Sequence, residues 1–410
     1  MRLERVLALL VVIVLIAAAV VFFVRRPAIE GPTGALQPLP DEGELGLLVV
    51  GIQGLEESVA MRLVEAGRMP NLASLIERGA LATYSTLGRD VDPKITWTSI
   101  VTGMSPENQG VGGKMRWKGS MADAPLTPQY RTVGTIWTYL SDSGQTCGVV
   151  SWPGTWPVEE INGVMVGPVS TYILERVHAG KPSDAVYPVS YLDRVDGQIR
   201  GRQELTRRDL TRFINTDSAL GLEALIGQNY TTLADATATD RSAVDVARLL
   251  VDDPGVQNMF VCLIGMDSVS QRFWHYMDLE SLDAVPLGEE ERDLLNRQAE
   301  ALSGTVDAYC EYIDELLGEL MNLVGDGGTV ALISSYGYRG IVLDDKGFPL
   351  IGTHMHSEEG FWAIAGPGVR SGSTADPGSV LDFAPTLMAA SGVTPTIDLD
   401  GSVHGEVIAR

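Results

Sequence analysis

Apolar residues recur along this chain in short runs that alternate with stretches of helical periodicity. The runs are rich in Val, Ile and Leu and predict buried strands at Leu47–Ile52, Leu81–Thr86, Thr146–Trp152, Met259–Gly265, Thr329–Ser334 and Gly360–Ala365. Apolar positions three or four residues apart predict helices at Glu56–Gly67, Asn71–Arg78, Thr96–Thr102, Val133–Asp142, Asp235–Val251, Glu291–Leu323 and Ser379–Ser391. This alternation predicts an α/β fold with a doubly wound, mostly parallel central sheet and helices on both faces.

One apolar run near the start of the chain is longer than a strand requires. It extends without a charge from Val6 to Val24, and Arg residues flank both ends. At roughly 1.5 Å per residue, a helix of this length covers about 28 Å, close to the thickness of a bilayer core. A cleaved signal peptide is the alternative, but such peptides have shorter apolar cores and small residues at the cleavage site. We expect residues 1–26 to form a single-pass membrane anchor.

The remaining chain divides by composition. Residues 27–44 are rich in Pro and Gly and lack apolar periodicity, which predicts a linker. The predicted folded domain covers residues 45–410. Inside it the periodicity weakens, so we interpret residues 153–232 as a cap-like insertion, with an ordinary irregular lobe as the alternative.

Charge and cysteine content limit the partners. The chain has a formal net charge of −23 at pH 7. A field of this sign repels nucleic acid, so we expect no nucleic-acid partner. It also repels phosphorylated substrates unless bound cations offset it locally. Cys147 and Cys262 fall inside predicted strands, where a thiol packs as a small apolar group, and we predict no disulfide framework.

Seven short motifs, considered together with their order along the chain, indicate a family of proteins. They are Gly51–Gly54, Met69–Leu75, Asp92–Gly103, Phe260–Asp267, Val330–Gly337, His356–Gly368 and Asp398–Gly401. Together they resemble the alkaline phosphatase superfamily, in its type I phosphodiesterase/nucleotide pyrophosphatase branch. The resemblance runs from about Leu47 to Gly401 and is weakest in the predicted insertion. It implies the fold of that superfamily and places the domain outside the cytoplasm.

The resemblance also implies ester hydrolysis by two divalent cations and a Thr or Ser nucleophile. The family's first metal-binding Asp falls on Gln53, whose neutral amide is a poor Zn²⁺ ligand. The nucleophile position falls on Pro93, which has neither a hydroxyl nor a backbone N–H. Thr96, one helical turn later, is a weak substitute, because a Thr there more often packs or caps. A helix that starts near Pro93 could still present backbone N–H groups to a phosphate, which is a further hypothesis.

The other ligand positions of the family are also altered. Asp267 matches one of them, but Gln271 stands where the family has its partner His. The family's adjacent Asp-His pair falls on Ser335 and Tyr336, and its late His matches His356. The resemblance therefore leaves Asp267 and His356 as vestigial metal ligands. The degenerate ligand positions are Gln53, Gln271, Ser335 and Tyr336. His354, Glu358 and Asp345 lie in loops and could add donors, although solvated surface groups are their ordinary interpretation.

Three functions follow as hypotheses. The first is a membrane-anchored domain of this fold that is catalytically degenerate, needs no cofactor and acts as a binding or regulatory module. The second is an active phosphodiesterase or phosphatase with a site rebuilt around Asp267 and His356 and a divalent cation, Zn²⁺ or Mn²⁺. The third is a scaffold for a membrane complex with an unknown protein partner.

Overall fold

The computed structural model describes most of the predicted domain. The described residues are 44–88, 91–111, 114–117, 120–123, 128–168, 184–252, 255–277, 279, 288–338, 342–343, 349–350 and 358–409. Within these ranges, no helix has both the length and the apolar character that a membrane crossing requires. The predicted anchor at residues 1–26 lies outside the described residues, as does the predicted linker apart from its last residue.

The strands follow the apolar runs of the sequence, and each of the predicted strands is present. The strands are β1 Leu45–Ile52, β2 Ala80–Ser85, β3 Lys114–Trp117, β4 Ser120–Asp123, β5 Cys147–Val150, β6 Gly163–Val166, β7 Val186–Tyr187, β8 Asn258–Leu263, β9 Val324–Ser334, β10 Val342–Leu343, β11 Pro349–Leu350, β12 Glu359–Ala365, β13 Ser373–Thr374 and β14 Gly378–Ser379. Cys147 and Cys262 are buried free thiols inside β5 and β8, as predicted.

The helices fill the intervals between strands. They are α1 Glu57–Glu65, α2 Pro70–Arg78, α3 Pro93–Thr102, α4 Pro106–Gln109, α5 Ile136–Asp142, α6 Leu192–Asp196, α7 Gly227–Asp252, α8 Gly265–Met277, α9 Glu289–Leu302, α10 Thr305–Met321 and α11 Phe383–Ala390. The prediction of one helix over Glu291–Leu323 is wrong, because the chain breaks between α9 and α10. Ser303 ends the first helix, and Gly304, a poor residue for a helix interior, caps the second.

The central sheet is mixed: among the described strands, six of its nine pairings are parallel, as expected for most of the sheet, and three are antiparallel. Its order is β13-β2-β12-β9-β1-β8-β5-β6-β7, with β14 also paired to β2. Strands β9, β1, β8, β5 and β6 are mutually parallel. Strand β12 is antiparallel to both of its neighbours, and β7 is antiparallel to β6. The apolar run of β12 indicates burial on both faces but carries no information on strand direction.

Helices cover both faces of the sheet, as predicted. Alternate residues of β1 supply the two cores: Leu48 and Val50 pack on one side, Leu47 and Val49 on the other. The first core contains apolar residues of α1, α2, α7, α8, α9 and α10, and the second contains those of α3, α5 and α11. Burial on both faces of a central strand explains why its sequence is continuously apolar.

The segment predicted as a cap-like insertion, residues 153–232, is partly built into the sheet. It contributes β6 and β7 before it continues through short helical turns to α7. Its remaining described part, beyond β7, supplies Val195, Leu210 and Phe213 to the first core. A separate cap over the site therefore stays a prediction.

Candidate functional site

The candidate site lies at the carboxyl ends of three neighbouring parallel strands. Gln53 follows β1, Ser335 follows β9, and Asp267 lies in the first turn of α8, directly after β8. Strand β1 sits between β9 and β8, and all three run in the same direction. The sheet therefore brings these three predicted positions to one edge, where ligands of open α/β sheets bind.

Asp267 is the centre of a hydrogen-bond cluster. Its Oδ1 accepts from the hydroxyls of Tyr338 at 2.5 Å and Tyr336 at 3.0 Å, and its Oδ2 accepts from Gln271 Nε2 at 2.8 Å. The Tyr338 hydroxyl also lies 3.1 Å from the Asp267 backbone carbonyl. The carboxylate is thus held by neutral O–H and N–H donors on both of its oxygens.

Two amides extend this cluster. The Gln53 amide lies near the Tyr336 hydroxyl and the Gln271 amide near the Tyr338 hydroxyl, and each amide acts to lower the pKa of the phenol beside it. We call Gln53, Asp267, Gln271, Tyr336 and Tyr338 the strand-end cluster. Burial, and then the charge of Asp267, raises the pKa of both tyrosines well above the ordinary value. Both phenols therefore remain protonated donors at neutral pH.

Packing buries the centre of the strand-end cluster, whereas Gln53 and Gln271 at its edge are partly exposed. Asp267 is only 8% exposed and Tyr338 only 2% exposed. Gly54 has φ +85°, and a Cβ there would lie 3.0 Å from the Asp267 Cα and from the Tyr338 ring. The ring of Trp274 packs on Tyr338 with a centroid separation of 5.5 Å. The buried carboxylate of Asp267 therefore depends on hydrogen bonds from neighbouring side chains, because water reaches it poorly.

The chain that follows β9 packs against the start of α1. Ser334 Oγ donates to the Leu55 carbonyl at 2.7 Å, whereas within the described part of the chain Ser335 Oγ is buried without a recorded partner. Glu56 is also buried, and a Cβ on Gly337 would collide with its carboxylate. Tyr338 is a site residue that the sequence analysis missed, and Glu56 is a buried carboxylate outside the described hydrogen bonds of Asp267. Neither occupies a position that the family resemblance marks.

The predicted nucleophile position lies at the first residue of α3. Asp92 caps this helix: its Oδ1 accepts from the Lys94 N–H at 2.8 Å. The Asp92 carbonyl accepts from Ile95 N–H at 2.9 Å and more weakly from Thr96 N–H at 3.4 Å. Pro93 has no N–H group to donate. The N–H groups of the next three residues already have acceptors on Asp92. The hypothesis of free N–H groups for a phosphate is therefore wrong, and Thr96 is buried at 5% exposure.

Two motifs that carried the family resemblance have a structural explanation. In Met69–Leu75, the backbone N–H groups of Asn71 and Leu72 at the start of α2 donate to the Asp314 carboxylate of α10, at 3.0 and 2.8 Å. In Asp398–Gly401, Asp400 accepts from the Ser105 N–H at 2.8 Å, just before α4. In both motifs, backbone N–H groups at a helix start donate hydrogen bonds to a carboxylate that is distant in the sequence.

Of the remaining candidate ligands, Glu358 alone falls among the described residues. His354, His356 and Asp345 lie outside the described residues. Glu358 is exposed, and its backbone carbonyl accepts from Thr86 N–H at 2.9 Å. Across the described ranges, no three His, Cys, Asp or Glu side chains converge as a metal ligand set would. The strand-end cluster offers one carboxylate surrounded by donors, so its described residues do not fit a pair of cations.

Comparisons with known proteins identify the family. Two structures of murine ectonucleotide pyrophosphatase/phosphodiesterase 5 superpose on the chain with TM-scores of 0.50: an inactive variant in complex with AMP, at 12% identity, and a second structure at 11%. Each comparison covers 89% of this chain and 100% of the murine one. Identities this low establish the fold alone. No curated protein sequence matches the chain. The family model for type I phosphodiesterase/nucleotide pyrophosphatase matches residues 47–381, which contain α8 and the strand-end cluster, and the chain belongs to that family.

Proposed function

We propose that this chain is a membrane-anchored member of the family whose domain no longer hydrolyses phosphate esters and acts as a binding or regulatory module. The observation that carries the proposal is the hydrogen bonding of the Asp267 carboxylate. Both oxygens of this carboxylate accept hydrogen bonds from neighbouring side chains. A carboxylate that binds a cation must direct lone pairs at the metal, and here phenol and amide donors occupy them.

Electrostatics supports the same conclusion. Two divalent cations would neutralise an anionic ester and stabilise the charge that develops on its oxygens. Tyr336 and Gln271 contribute hydrogen bonds to Asp267 but no positive charge. At the start of α3, Asp92 adds a negative charge of its own. With Lys94 offset by Asp92, the described residues at these positions supply no net positive charge for an anionic substrate, in a chain of net charge −23.

The enclosure of the strand-end cluster also bears on where a partner binds. Because Asp267 and Tyr338 are nearly inaccessible, a protein or small-molecule partner would contact the outer surface of the domain rather than this cluster. The anchor at Val6–Val24, with the linker at residues 27–44, would hold that surface close to a membrane, on the extracytoplasmic side. Removal of residues 1–26 should release the protein from membranes into the soluble fraction; continued sedimentation with membranes would contradict the anchor.

Turnover of an aryl phosphodiester tests the loss of hydrolysis. The purified protein, assayed with added Zn²⁺ or Mn²⁺, should release no more product than the metal in buffer does. Asp267→Ala and His356→Ala should leave this background unchanged. Asp314→Asn, which alters a buried carboxylate of α10 that accepts hydrogen bonds from the start of α2, serves as a control for general damage to the fold.

The active alternative predicts the opposite pattern. Wild-type turnover above background that disappears in both Asp267→Ala and His356→Ala, and survives in Asp314→Asn, would establish a rebuilt one-cation site. Turnover indifferent to Asp267 and His356 would instead indicate a contaminating enzyme and leave the domain without hydrolysis of its own.

A further inference from the structure

A second buried carboxylate holds the helix on which the strand-end cluster is built. Asp240, in the middle of α7, is fully buried. Its Oδ1 accepts from the backbone N–H groups of Ile264 and Gly265, both at 2.9 Å, and its Oδ2 accepts from the Tyr309 hydroxyl at 2.8 Å. Gly265 is the first residue of α8, so Asp240 caps that helix from a neighbouring one.

The fit around this cap is close. A Cβ on Gly265 would lie 2.3 Å from the Tyr309 oxygen and 2.5 Å from Asp240 Oδ2, so only glycine permits the approach. Asp267 lies two residues later, in the first turn of the same helix. The contact between Asp240 and Gly265 therefore fixes the backbone that directs Asp267 toward Tyr336 and Tyr338.

The surroundings of Asp240 contain no positive partner among the described residues. The titratable groups that face it are Tyr309 and Tyr312 of α10 and Cys262 of β8, and burial raises the pKa of all three. Arg241, the next residue of α7, points to Asp245 and Glu319 instead. His275, at the far end of α8, has its pKa lowered to about 4 by burial. These groups keep one charge state between pH 5 and 8, which leaves Asp240 as the member that titrates.

We propose that Asp240 is the positioning residue of the strand-end cluster, and that proton binding to its carboxyl group sets how tightly the start of α8 is held. This inference does not depend on the proposed loss of hydrolysis, because it concerns the geometry of the site whatever the site does.

The direction of the effect follows from linkage. Burial, opposed by the three hydrogen bonds, raises the pKa of Asp240 from 3.8 to about 6. The closed arrangement therefore binds a proton more readily than an open one in which water solvates the carboxylate. The stability that Asp240 adds to the closed arrangement is fully present below pH 4 and is lost as the pH rises through 6. Opening of the α8 start should accordingly be more frequent at pH 7.5 than at pH 5.

Amide hydrogen exchange measures this opening. After correction for the chemical exchange rate, the amides of Ile264 and Gly265 should be roughly tenfold better protected at pH 5 than at pH 7.5, as linkage through a carboxyl of this pKa gives. Asp240→Asn keeps an oxygen acceptor and cannot titrate, so its protection should be independent of pH. Asp314→Asn is the matched control: it should alter protection at Asn71 and Leu72 and keep the wild-type pH dependence at α8.

A third variant keeps the inference testable if Asp240→Asn unfolds. Tyr309→Phe removes a donor to the carboxylate, which should move the midpoint of the pH dependence to higher pH. Protection at Ile264 and Gly265 that is independent of pH in the wild type would overturn the inference. So would the same pH dependence in wild type and Asp240→Asn, or an unmoved midpoint in Tyr309→Phe.

Discussion

The hydrogen bond from Tyr338 to Asp267 is the sharpest place to perturb the strand-end cluster. Tyr338→Phe keeps the ring that packs on Trp274 and removes only the hydroxyl, which lies 2.5 Å from Asp267 Oδ1. A hydrogen bond to a buried charged acceptor contributes about 1.5–3 kcal/mol. Because Asp267 is only 8% exposed, solvent screening recovers little of this loss. We expect Tyr338→Phe to lower the free energy of unfolding by about 2 kcal/mol.

A double-mutant cycle assigns that loss to the pair. In Asp267→Asn the acceptor is neutral, so removal of the Tyr338 hydroxyl should cost only about 1 kcal/mol, which gives a coupling energy of about 1 kcal/mol. Urea unfolding of the four proteins, with unchanged slopes, provides the measurement. Tyr276→Phe is the control, since that buried hydroxyl pairs with the neutral Gln298 at 3.3 Å and should not couple to Asp267.

Two outcomes would refute this reasoning. Strict additivity of Tyr338→Phe and Asp267→Asn would show that the hydroxyl does not stabilise the charged carboxylate. A chelator that lowers the urea midpoint of the wild type as much as Tyr338→Phe does would show that Asp267 is held by a cation instead.

Three further predictions concern packing, capping and pH. Gly51→Ala should destabilise the fold by about 1–3 kcal/mol, because its Cβ would lie 2.8 Å from the Trp97 ring, whereas Gly304→Ala, at an open position, should have little effect on the urea midpoint. Asp92→Ala should cost about 1 kcal/mol of stability, and added phosphate should then raise the melting temperature of the variant more than that of the wild type, because Lys94 N–H is freed; an equal phosphate response would contradict the capping role. Burial lowers the pKa of His275 from 6.5 to about 4, so its contribution is fully present above pH 6.5 and is lost as the pH falls toward 4. In His275→Phe, the urea midpoint should therefore fall less than that of the wild type between pH 7 and pH 4. An equal fall in both proteins would contradict the prediction.

The sequence was sufficient to place three site positions because each follows a strand. Gln53, Asp267 and Ser335 come directly after apolar runs, and parallel strands deliver such residues to one edge. The direction of β12 could not be predicted in the same way, because an apolar run looks the same in either direction. The division between α9 and α10 was missed because the helical periodicity continues on both sides of Gly304.

The hydrogen bonds inside the site could not be predicted from local sequence patterns. Tyr338 lies past the positions that the family resemblance marks, and only the fold brings its hydroxyl to Asp267. Asp240 stands in mid-helix, where an acidic residue normally faces solvent, and its role depends on contact with Gly265 in another element. Long-range hydrogen bonds of this kind leave no periodic signal in the sequence, so single positions could be predicted but not the cluster that they form.

Metal stoichiometry tests the central claim most directly. Zn²⁺ or Mn²⁺ should be titrated by calorimetry into purified protein previously freed of metal, with Asp267→Asn in parallel. Since the described donors of the strand-end cluster are committed to Asp267, we predict no tight binding and the same weak heats in both proteins. Two equivalents bound tightly by the wild type and lost in Asp267→Asn would contradict the account.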